Sequence, residues 1–456
     1  MITSLNPATG EVVASFEAHT PAQVEEALAK ADRAQRQWRQ VSLHDRCRVL
    51  VSAARVLRER KAKYAALITL EMGKPIAEAE AEVEKCALNC DFYAAEAGRY
   101  LADELVSSNA TTSKVVFDPL GLVLAVMPWN YPLWQVMRFA APALAAGNGA
   151  VLKHANNVPQ CALALEEVFR EAGAPEGLFT TLLVEAAMVK GIIEDHRIAA
   201  VTLTGSTPVG KLVASQAAAV LKKQVLELGG SDPFIVLADA DISAAAKVAA
   251  KARFQNTGQS CICAKRFIVE SAVADRFVDE LCGHVAAIRT GDPTDRANTM
   301  GPMARHNLRA ELNGQVRRTI EQGGRLLLGG RVIDGPGAFY EPTVIDHVTG
   351  RMAAGAEETF GPVAAILRVP DAASAIELAN ATEFGLGAGI WTSDLQRAEA
   401  LARELDAGAV FINGLVASDP RLPFGGLKQS GYGRELGSYG IREFTNVKTV
   451  WIGPAR

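Results

Sequence analysis

The strongest constraint on the fold is an alternation of short apolar segments with amphipathic segments, which runs from about residue 114 to residue 430. Runs such as "AVLK", "IAAVTLTGS" and "PFIVL" have the length and composition of buried strands. Between them, "PQCALALEEVFREAG" places apolar residues every three or four positions, as one face of a helix requires. Strands that alternate with helices predict parallel sheets wound on both faces, so the expected fold class is α/β.

The length of the chain predicts more than one domain. Its 456 residues exceed what one hydrophobic core usually supports, which is roughly 250 to 300 residues. From about residue 20 to residue 105 the sequence is typical of long helices, and the stretch 44–73 is predicted to be one helix that ends at Gly73 and Pro75. The tail "IREFTNVKTVW" is predicted to be rich in strand.

Composition restricts the partners. The net charge is −4 and there is no basic block, so no nucleic-acid or membrane partner is expected, and any partner should be small. The N-terminus lacks the pattern of a secretory signal, which favours a cytoplasmic location. Seven cysteines are an odd number and argue against a disulfide framework, while Cys86 and Cys90 are interpreted as packing residues rather than metal ligands.

Two turns carry candidate chemistry for a nucleotide. In "LTGSTPVG", Gly205 ends a strand and Pro208 lies in the first turn of a helix, which directs free backbone N–H groups toward an anion. A plain strand-to-helix turn is about as good an interpretation. Lys153 ends the strand "AVLK", and the carboxyl ends of such strands are where ligands of doubly wound sheets bind. Together the two features predict a nucleotide across the strand ends.

Cys261 and Glu227 are the candidates for covalent and acid–base chemistry. Cys261 follows the polar turn "NTGQS", which favours an exposed corner, and its thiolate would be the reactive form. Glu227 ends an apolar strand just before "LGG", where burial would raise the pKa of its carboxyl and make it a base. A structural ion pair is the alternative for Glu227.

Six motifs, in this order and over nearly the whole chain, resemble those of the NAD(P)-dependent aldehyde dehydrogenase superfamily: "MPWNYP", "LTGSTPVG", "LELGG", "FQNTGQSC", "EETFGPV" and "LPFGGLKQSGYGRE". The resemblance implies a Rossmann-like cofactor domain (1–100 and 120–227), an α/β catalytic domain (228–430), and an oligomerisation flap and tail (101–119 and 431–456). It further implies a homodimer or homotetramer.

The resemblance also implies site residues. Cys261 would be the nucleophile, Asn130 the group that binds the carbonyl oxygen, and Glu227 the base that activates water. NAD or NADP would be bound by a set of residues around the strand ends: Trp129, Lys153, Asn156, Gly205, Ser206, Gly210, Glu358 and Phe360. Because Asn156 occupies a position where a glutamate would repel a 2′-phosphate, we expect both cofactors to be used.

Within the superfamily the chain is most similar to bacterial succinate-semialdehyde dehydrogenases, which oxidise succinate semialdehyde to succinate. Trp134 and Arg138 lie four residues apart on one predicted helix, and an arginine in an apolar helix needs a counter-charge, which a substrate carboxylate could supply. A fixed pair with a protein acid is the alternative. Ser418 and Arg421 are further candidates for the carboxylate site.

Other functions stay open at this point. The same mechanism could act on glutarate semialdehyde or an apolar aldehyde, and a non-catalytic binding protein or a cysteine hydrolase of the same fold are more distant alternatives. Cys263 is two residues from Cys261. If the stretch is extended, their Cα atoms would be roughly 6.6 Å apart, just inside the range of a strained disulfide, so Cys263 could protect Cys261 from oxidation. Small-residue packing is the alternative for Cys263.

Overall fold

A computed structural model of the protein describes residues 1–454, which form eighteen strands and fifteen helices. The strands are β1 Ile2–Leu5, β2 Val12–Phe16, β3 Glu104–Leu105, β4 Thr112–Pro119, β5 Leu122–Met127, β6 Gly149–His154, β7 Phe179–Thr181, β8 Ile198–Thr204, β9 Lys223–Glu227, β10 Asp232–Val236, β11 Ala264–Glu270, β12 Arg325–Leu328, β13 Thr343–Asp346, β14 Val363–Val369, β15 Gly387–Trp391, β16 Ala409–Ile412, β17 Gly431–Tyr432 and β18 Thr445–Ile452.

The helices are α1 Pro21–Trp38, α2 Leu43–Glu59, α3 Lys61–Met72, α4 Ile76–Tyr100, α5 Trp134–Ala145, α6 Pro159–Glu171, α7 Val189–Glu194, α8 Thr207–Ala219, α9 Ile242–Phe254, α10 Ser271–Ala286, α11 His306–Glu321, α12 Ala353–Ala356, α13 Ala372–Asn380, α14 Leu395–Glu404 and α15 Gly437–Glu443. No helix within residues 1–454 combines the length and the apolar character needed to cross a membrane.

Two large sheets organise the fold. The first has six strands in the order β17-β9-β8-β5-β6-β7, and all neighbours are parallel except β17, which runs antiparallel to β9. The second has seven strands in the order β12-β13-β14-β11-β10-β15-β16, again parallel except for the edge strand β12. Because helices connect the parallel strands, the predicted α/β class is confirmed.

Burial in the core accounts for the position of one helix, and hydrogen bonds at the first turn of another account for its start. Every residue of α5 is buried, so this helix runs through the core between the first sheet and the long helix α4. On the surface, the Thr20 side chain accepts a hydrogen bond from the Gln23 backbone N–H, and the Gln23 side chain accepts one from the Thr20 N–H. This capping box fixes the start of α1.

A small antiparallel sheet, β18-β4-β3, lies apart from the two large ones. Strand β18 pairs with β4 over eight residues, and Val447 and Trp451 on it are exposed. The predicted strand-rich tail begins at Ile441, but Ile441–Glu443 belong to the helix α15. The prediction of strand is therefore correct only from Thr445 onward. The domain boundaries proposed above remain a proposal.

One helix prediction is wrong. The stretch from residue 44 to residue 73 forms two helices, α2 and α3, with a break at Arg60, whose φ and ψ are −111° and 21°. No glycine or proline causes this break. Leu57 before the break and Tyr64 and Ile68 after it are buried completely, so both helices pack into the interior, and tertiary packing takes precedence over local helix propensity.

Candidate active site

The predicted catalytic residues come from different elements that end at one edge of the first sheet. Glu227 is the last residue of β9, and Asn130 follows shortly after β5. Because β9, β8 and β5 are parallel neighbours, their carboxyl ends lie side by side. Cys261 reaches this edge from the turn before β11, in the second sheet. The site therefore lies between the two sheets.

Cys261 lies where two cavities meet. One cavity, of about 570 Å³, is lined by Cys261 together with Trp134, Arg138, Ser418 and Phe424. We call it the substrate cavity. The other, of about 670 Å³, is lined by Cys261 and, among others, by Trp129, Asn130, Gly205, Ser206, Glu358 and Phe360. We call it the cofactor cavity. Six predicted residues besides the nucleophile are thus brought together in the cofactor cavity.

A tight loop presents Cys261. Asn256, Thr257 and Gly258 all have positive φ, at 52°, 55° and 70°, which is costly for the two residues that carry a side chain. The Asn256 amide offsets that cost by donating to the Asn130 carbonyl at 2.8 Å. Lys265, which is fully buried, donates to the carbonyl of Cys261 at 2.8 Å. The position of the thiol is therefore set by a strained, well-bonded backbone.

The same loop overturns one geometric expectation. Cys261 and Cys263 do not belong to an extended segment, because the Cys263 N–H donates to the Ser260 carbonyl at 3.3 Å and closes a turn. The side chain of Cys263 is buried, with its sulfur 4.0 Å from the Gln255 carbonyl oxygen. The premise that the two cysteines lie in an extended stretch is therefore wrong, and a redox role for Cys263 remains a prediction without that support.

The surroundings of Cys261 hold its thiol neutral. Burial raises the pKa of the Cys261 thiol to about 12, against the opposing charges of Arg138 and Lys265. The Cys261 backbone N–H has no acceptor among residues 1–454. The Asn130 side-chain amide donates to the Gln259 carbonyl at 3.1 Å, which leaves its second N–H available. These are two free donors beside the thiol.

Glu227 is buried behind the thiol rather than in the wall of either cavity. It is 1% exposed, and neither carboxyl oxygen has a hydrogen-bond partner among the described residues. Burial and the nearby Glu435 carboxylate raise its pKa well above the usual value, as the sequence position predicts. A methyl group on Gly425 would lie 2.7 Å from one Glu227 oxygen, so the carboxyl is packed against bare backbone.

The expectation that Arg138 lacks a protein counter-charge is wrong. Arg138 forms an ion pair with Glu435, and both side chains are 2% exposed. Its guanidinium also stacks over the Phe424 ring, with 4.5 Å between its central carbon and the ring centroid. Arg138 lines the substrate cavity, but it needs no substrate to balance its charge.

Arg421 does not reach the substrate cavity. Its side chain is 75% exposed and pairs with Asp419 at 2.5 Å, two residues away in the same loop. Arg421 was a candidate for the carboxylate site because it is close to Ser418 in the sequence. In the structure, the side chain of Arg421 faces solvent instead. Ser418 and Trp134, by contrast, both line the cavity.

The cofactor cavity fits a dinucleotide. Ser206 precedes α8 without capping it, so N–H groups of the first turn remain available for a phosphate. Arg305 lies over the Trp129 ring, 5.7 Å from its centroid, and supplies a cation without a protein counter-charge among residues 1–454. Glu358 accepts from the Gly230 N–H at 3.0 Å and leaves one oxygen for a ribose hydroxyl.

Three predicted cofactor residues lie outside this cavity. Gly210 is a packing residue, because a side chain there would collide with Leu228. Lys153 and Asn156 lie farther along the strand edge, after β6. The Lys153 ammonium donates to Asn156 at 3.0 Å, and the Asn156 amide donates to Glu185 at 3.1 Å. Contact between this pair and a bound dinucleotide remains a proposal.

The sequence reasoning missed several residues of the site, namely Lys85, Gln135, Arg305 and Glu435. Of these four residues, only Lys85 belongs to a pattern that is visible in the sequence, a row of polar residues on one helix face. Positions 78, 82, 85 and 89 are polar and lie on one face of the helix α4, where a solvent-facing stripe would be expected. Glu82 and Asn89 are in fact buried, so this polar face points into the protein.

Comparison with known proteins agrees with the fold and the geometry. The sequence pattern of the aldehyde dehydrogenase family matches residues 1–450, and the chain belongs to this family, as its six motifs predict. A probable NADP(+) succinate-semialdehyde dehydrogenase of Synechocystis sp. is 51% identical over 451 residues, which are 99% of each chain. An NADP(+) succinate-semialdehyde dehydrogenase of Mycobacterium tuberculosis is 50% identical over 454 residues, again 99% of each chain.

A solved structure extends the agreement to three dimensions. The succinic semialdehyde dehydrogenase of Streptococcus pyogenes, in complex with NADP+ as the cofactor, superposes with a TM-score of 0.97. It is 38% identical, and the superposition covers all of both chains. The α/β architecture described above is therefore the aldehyde dehydrogenase fold.

Proposed function

We propose that this enzyme oxidises succinate semialdehyde to succinate with NAD+ or NADP+, through a thioester on Cys261. The observation that carries the proposal is the position of Cys261 at the junction of the substrate and cofactor cavities. A covalent intermediate on this thiol would face both a small substrate and a dinucleotide. The names of the two relatives and of the Streptococcus structure support the substrate and the cofactor.

The residues of the chain suit acyl chemistry. The Cys261 thiol would lose its proton to water as its sulfur attacks the aldehyde carbon, and the free N–H groups of Cys261 and Asn130 would stabilise the resulting oxygen anion, each contributing on the order of 10² to 10³ in rate. The residues of the cofactor cavity would hold NAD(P)+, which supplies a hydride acceptor when bound, so that the hydrogen on the former aldehyde carbon can leave as hydride and a thioester remains on Cys261. Glu227, as a buried base of raised pKa, would then take a proton from water, which releases the acid and the free thiol.

Glu227 must move to do this. In its present position it lines neither cavity, and its oxygens have no partner among the described residues. We infer that the side chain rotates toward Cys261 once the thioester forms, because water on the thioester would offer it a hydrogen bond that the buried position lacks.

A panel of aldehydes tests the proposal. We expect NAD(P)H formation with succinate semialdehyde at a higher kcat/KM than with glutarate semialdehyde or butanal. A higher kcat/KM with one of the other aldehydes would support the proposed mechanism but contradict the proposed substrate. Absence of NAD(P)H formation with every aldehyde would overturn the proposal and favour a binding protein, and ester turnover without aldehyde oxidation would favour a hydrolase.

Both cofactors are proposed to serve. Asn156 carries no negative charge that would repel the 2′-phosphate of NADP. The Glu185 carboxylate, which is exposed and accepts from the Asn156 side-chain amide at 3.1 Å, would suit the ribose hydroxyls of NAD. The two relatives named above are described as NADP(+) enzymes. A preference above a hundredfold for either cofactor, measured as a ratio of kcat/KM, would exclude dual use.

We further propose a homo-oligomer in the cytoplasm. Strand β18 is an edge strand whose outer side is unpaired within residues 1–454, and it exposes Val447 and Trp451. Pairing that edge with a second copy would satisfy its backbone and cover its apolar side chains. Light scattering at micromolar concentration tests this, and a monomer would contradict it.

A further inference from the structure

Lys85 is a cation held inside the substrate cavity. It lies on α4, and its ammonium donates to the Ser418 hydroxyl oxygen at 2.8 Å. The same ammonium lies over the Trp134 ring, 4.3 Å from its centroid. The cavity that these three residues line also contains Cys261. Lys85 therefore shares a compartment with the nucleophile.

No carboxylate balances this cation. Among residues 1–454, Lys85 takes part in no ion pair, and the acids nearest to it are engaged elsewhere: Glu82 with Lys74, and Asp419 with Arg421. Lys251, on the same cavity wall, is also unpaired within the described residues but is exposed to water. Among the described cations that line the substrate cavity, Lys85 alone combines an unpaired charge with partial burial, because Lys74 and Arg138 are both in ion pairs.

The electrostatic surroundings of Lys85 reflect this imbalance. Burial, together with the charge of Arg138 on α5, lowers the pKa of Lys85 to about 8. Glu82 and Cys86 on α4 and Asp419 in the loop after Ser418 oppose the shift. A carboxylate that entered the cavity would find an ammonium whose protein surroundings leave its charge uncompensated.

Ser418 has a hydrogen to donate. Its oxygen accepts from the Lys85 ammonium at 2.8 Å and from the Trp134 indole N–H at 3.2 Å. A hydroxyl has two acceptor lone pairs and one donor, so both acceptor positions are filled. The hydroxyl proton has no acceptor among residues 1–454, although Ser418 is only 8% exposed. An anion in the cavity would provide that acceptor.

We propose that Lys85 and Ser418 bind the distal carboxylate of the substrate, so that Lys85 is the charge that selects short aldehydes with a terminal carboxylate. This inference rests on the proposed function and assigns its specificity to a residue of α4. One carboxylate oxygen would take a charge-assisted bond from Lys85 and the other the Ser418 proton. Arg138 would then position Glu435 beside Glu227, rather than serve as the main substrate cation.

The test compares succinate semialdehyde with butanal, which has the same number of carbon atoms and no charge. In Lys85→Met, which keeps most of the volume of the side chain, the ratio of kcat/KM for the two aldehydes should fall roughly ten- to hundredfold, mainly through KM. Lys247→Met is the matched control, because Lys247 is exposed on α9 outside both cavities, and its ratio should equal that of the wild type.

Succinate binding gives a readout that does not depend on turnover. Calorimetric titration should show binding to the wild type and to Lys247→Met, roughly tenfold or more weaker binding to Lys85→Met, and partial recovery in Lys85→Arg. Thermal unfolding of each variant verifies that it is folded. If Lys85→Met retains both the aldehyde ratio and succinate binding, or loses activity with both aldehydes equally, the inference is wrong.

The outcome also separates this inference from the proposed function. A wild type that does not prefer succinate semialdehyde to butanal contradicts the function itself. A wild type with that preference, together with an unchanged ratio in Lys85→Met, contradicts only the role of Lys85.

Discussion

Replacing Arg138 with methionine should destabilise the protein strongly, because the change leaves buried carboxyls without a counter-charge. Arg138 and Glu435 are each 2% exposed and pair with each other, and Glu227 lies close enough for its pKa to be raised by Glu435. Methionine retains the apolar stem that packs under Phe424, so the main loss is the charge.

The size of the effect follows from the burial of the pair. Removing one partner of a buried ion pair typically costs about 3–5 kcal/mol, since the remaining ion has lost its compensation. Arg138→Met should therefore lose about that much stability at pH 8. The double variant Arg138→Met/Glu435→Gln removes both charges and should regain most of the loss, since the amide can be buried at a smaller cost.

The pH dependence gives a second check with a definite sign. Burial raises the pKa of Glu435, and the charge of Arg138 opposes that rise, so the pKa should rise further in Arg138→Met. A carboxyl with a raised pKa in the folded state takes up a proton on folding, and its folded form gains stability as the pH falls. The loss in free energy of unfolding of Arg138→Met, relative to the wild type, should thus be largest near pH 8 and become smaller toward pH 5.5.

The assay is urea denaturation of the wild type, the single variant and the double variant at both pH values, followed by fluorescence. The midpoints are compared directly, because a chain of this length need not unfold in two states. An unchanged midpoint for Arg138→Met at pH 8 would refute the reasoning, as would a deficit that does not narrow on acidification.

Three further results are expected. The preference for succinate semialdehyde over butanal should be constant well below pH 8 and fall as the pH rises through about 8, because Lys85, with its pKa of about 8, loses its proton there; the same ratio should not vary with pH in Lys85→Met. Glu227→Gln should give a burst of NAD(P)H followed by slow turnover, and equal loss of the burst would contradict its assignment to deacylation. If Cys263 is a resolving cysteine, dithiothreitol should restore the activity of peroxide-treated wild type but not that of peroxide-treated Cys263→Ala, whereas identical behaviour of the two proteins would make Cys263 a packing residue.

Local patterns predicted the parts of the fold that depend on short stretches of sequence. The strands β6, β8, β9 and β10 are short, largely apolar runs followed by turn residues, and each is predicted close to its observed position. The break at Arg60 was missed because it has no local cause: the chain turns there so that residues far apart in the sequence can pack. The hairpin of β1 and β2 was not predicted, although its two strands pair across a short loop.

The site shows a similar division. Motif resemblance identified Cys261, Asn130 and Glu227, and the structure brings the elements that carry them to one sheet edge. Resemblance could not show that Arg138 has a partner, because Glu435 lies 297 positions along the chain from it. Gly210 was given a cofactor role because it belongs to the motif, but its lack of a side chain serves packing against Leu228.

Helix α4 shows why a residue outside every motif can belong to the site. Its inward polar face contacts backbone and side chains from both halves of the site, and the contacts are Glu78 with Asn256, Glu82 with Leu133 and Trp134, Lys85 with Ser418, and Asn89 with Met137. Glu78, Glu82 and Asn89 each bind a backbone group of a neighbouring element, which is a structural task. Lys85 binds only a neutral hydroxyl, so its charge remains available. Helix α4 therefore contacts both the loop that carries the nucleophile and the start of α5, and it also places the Lys85 cation in the substrate cavity. Recognition of a carboxylate then depends on how the first hundred residues pack.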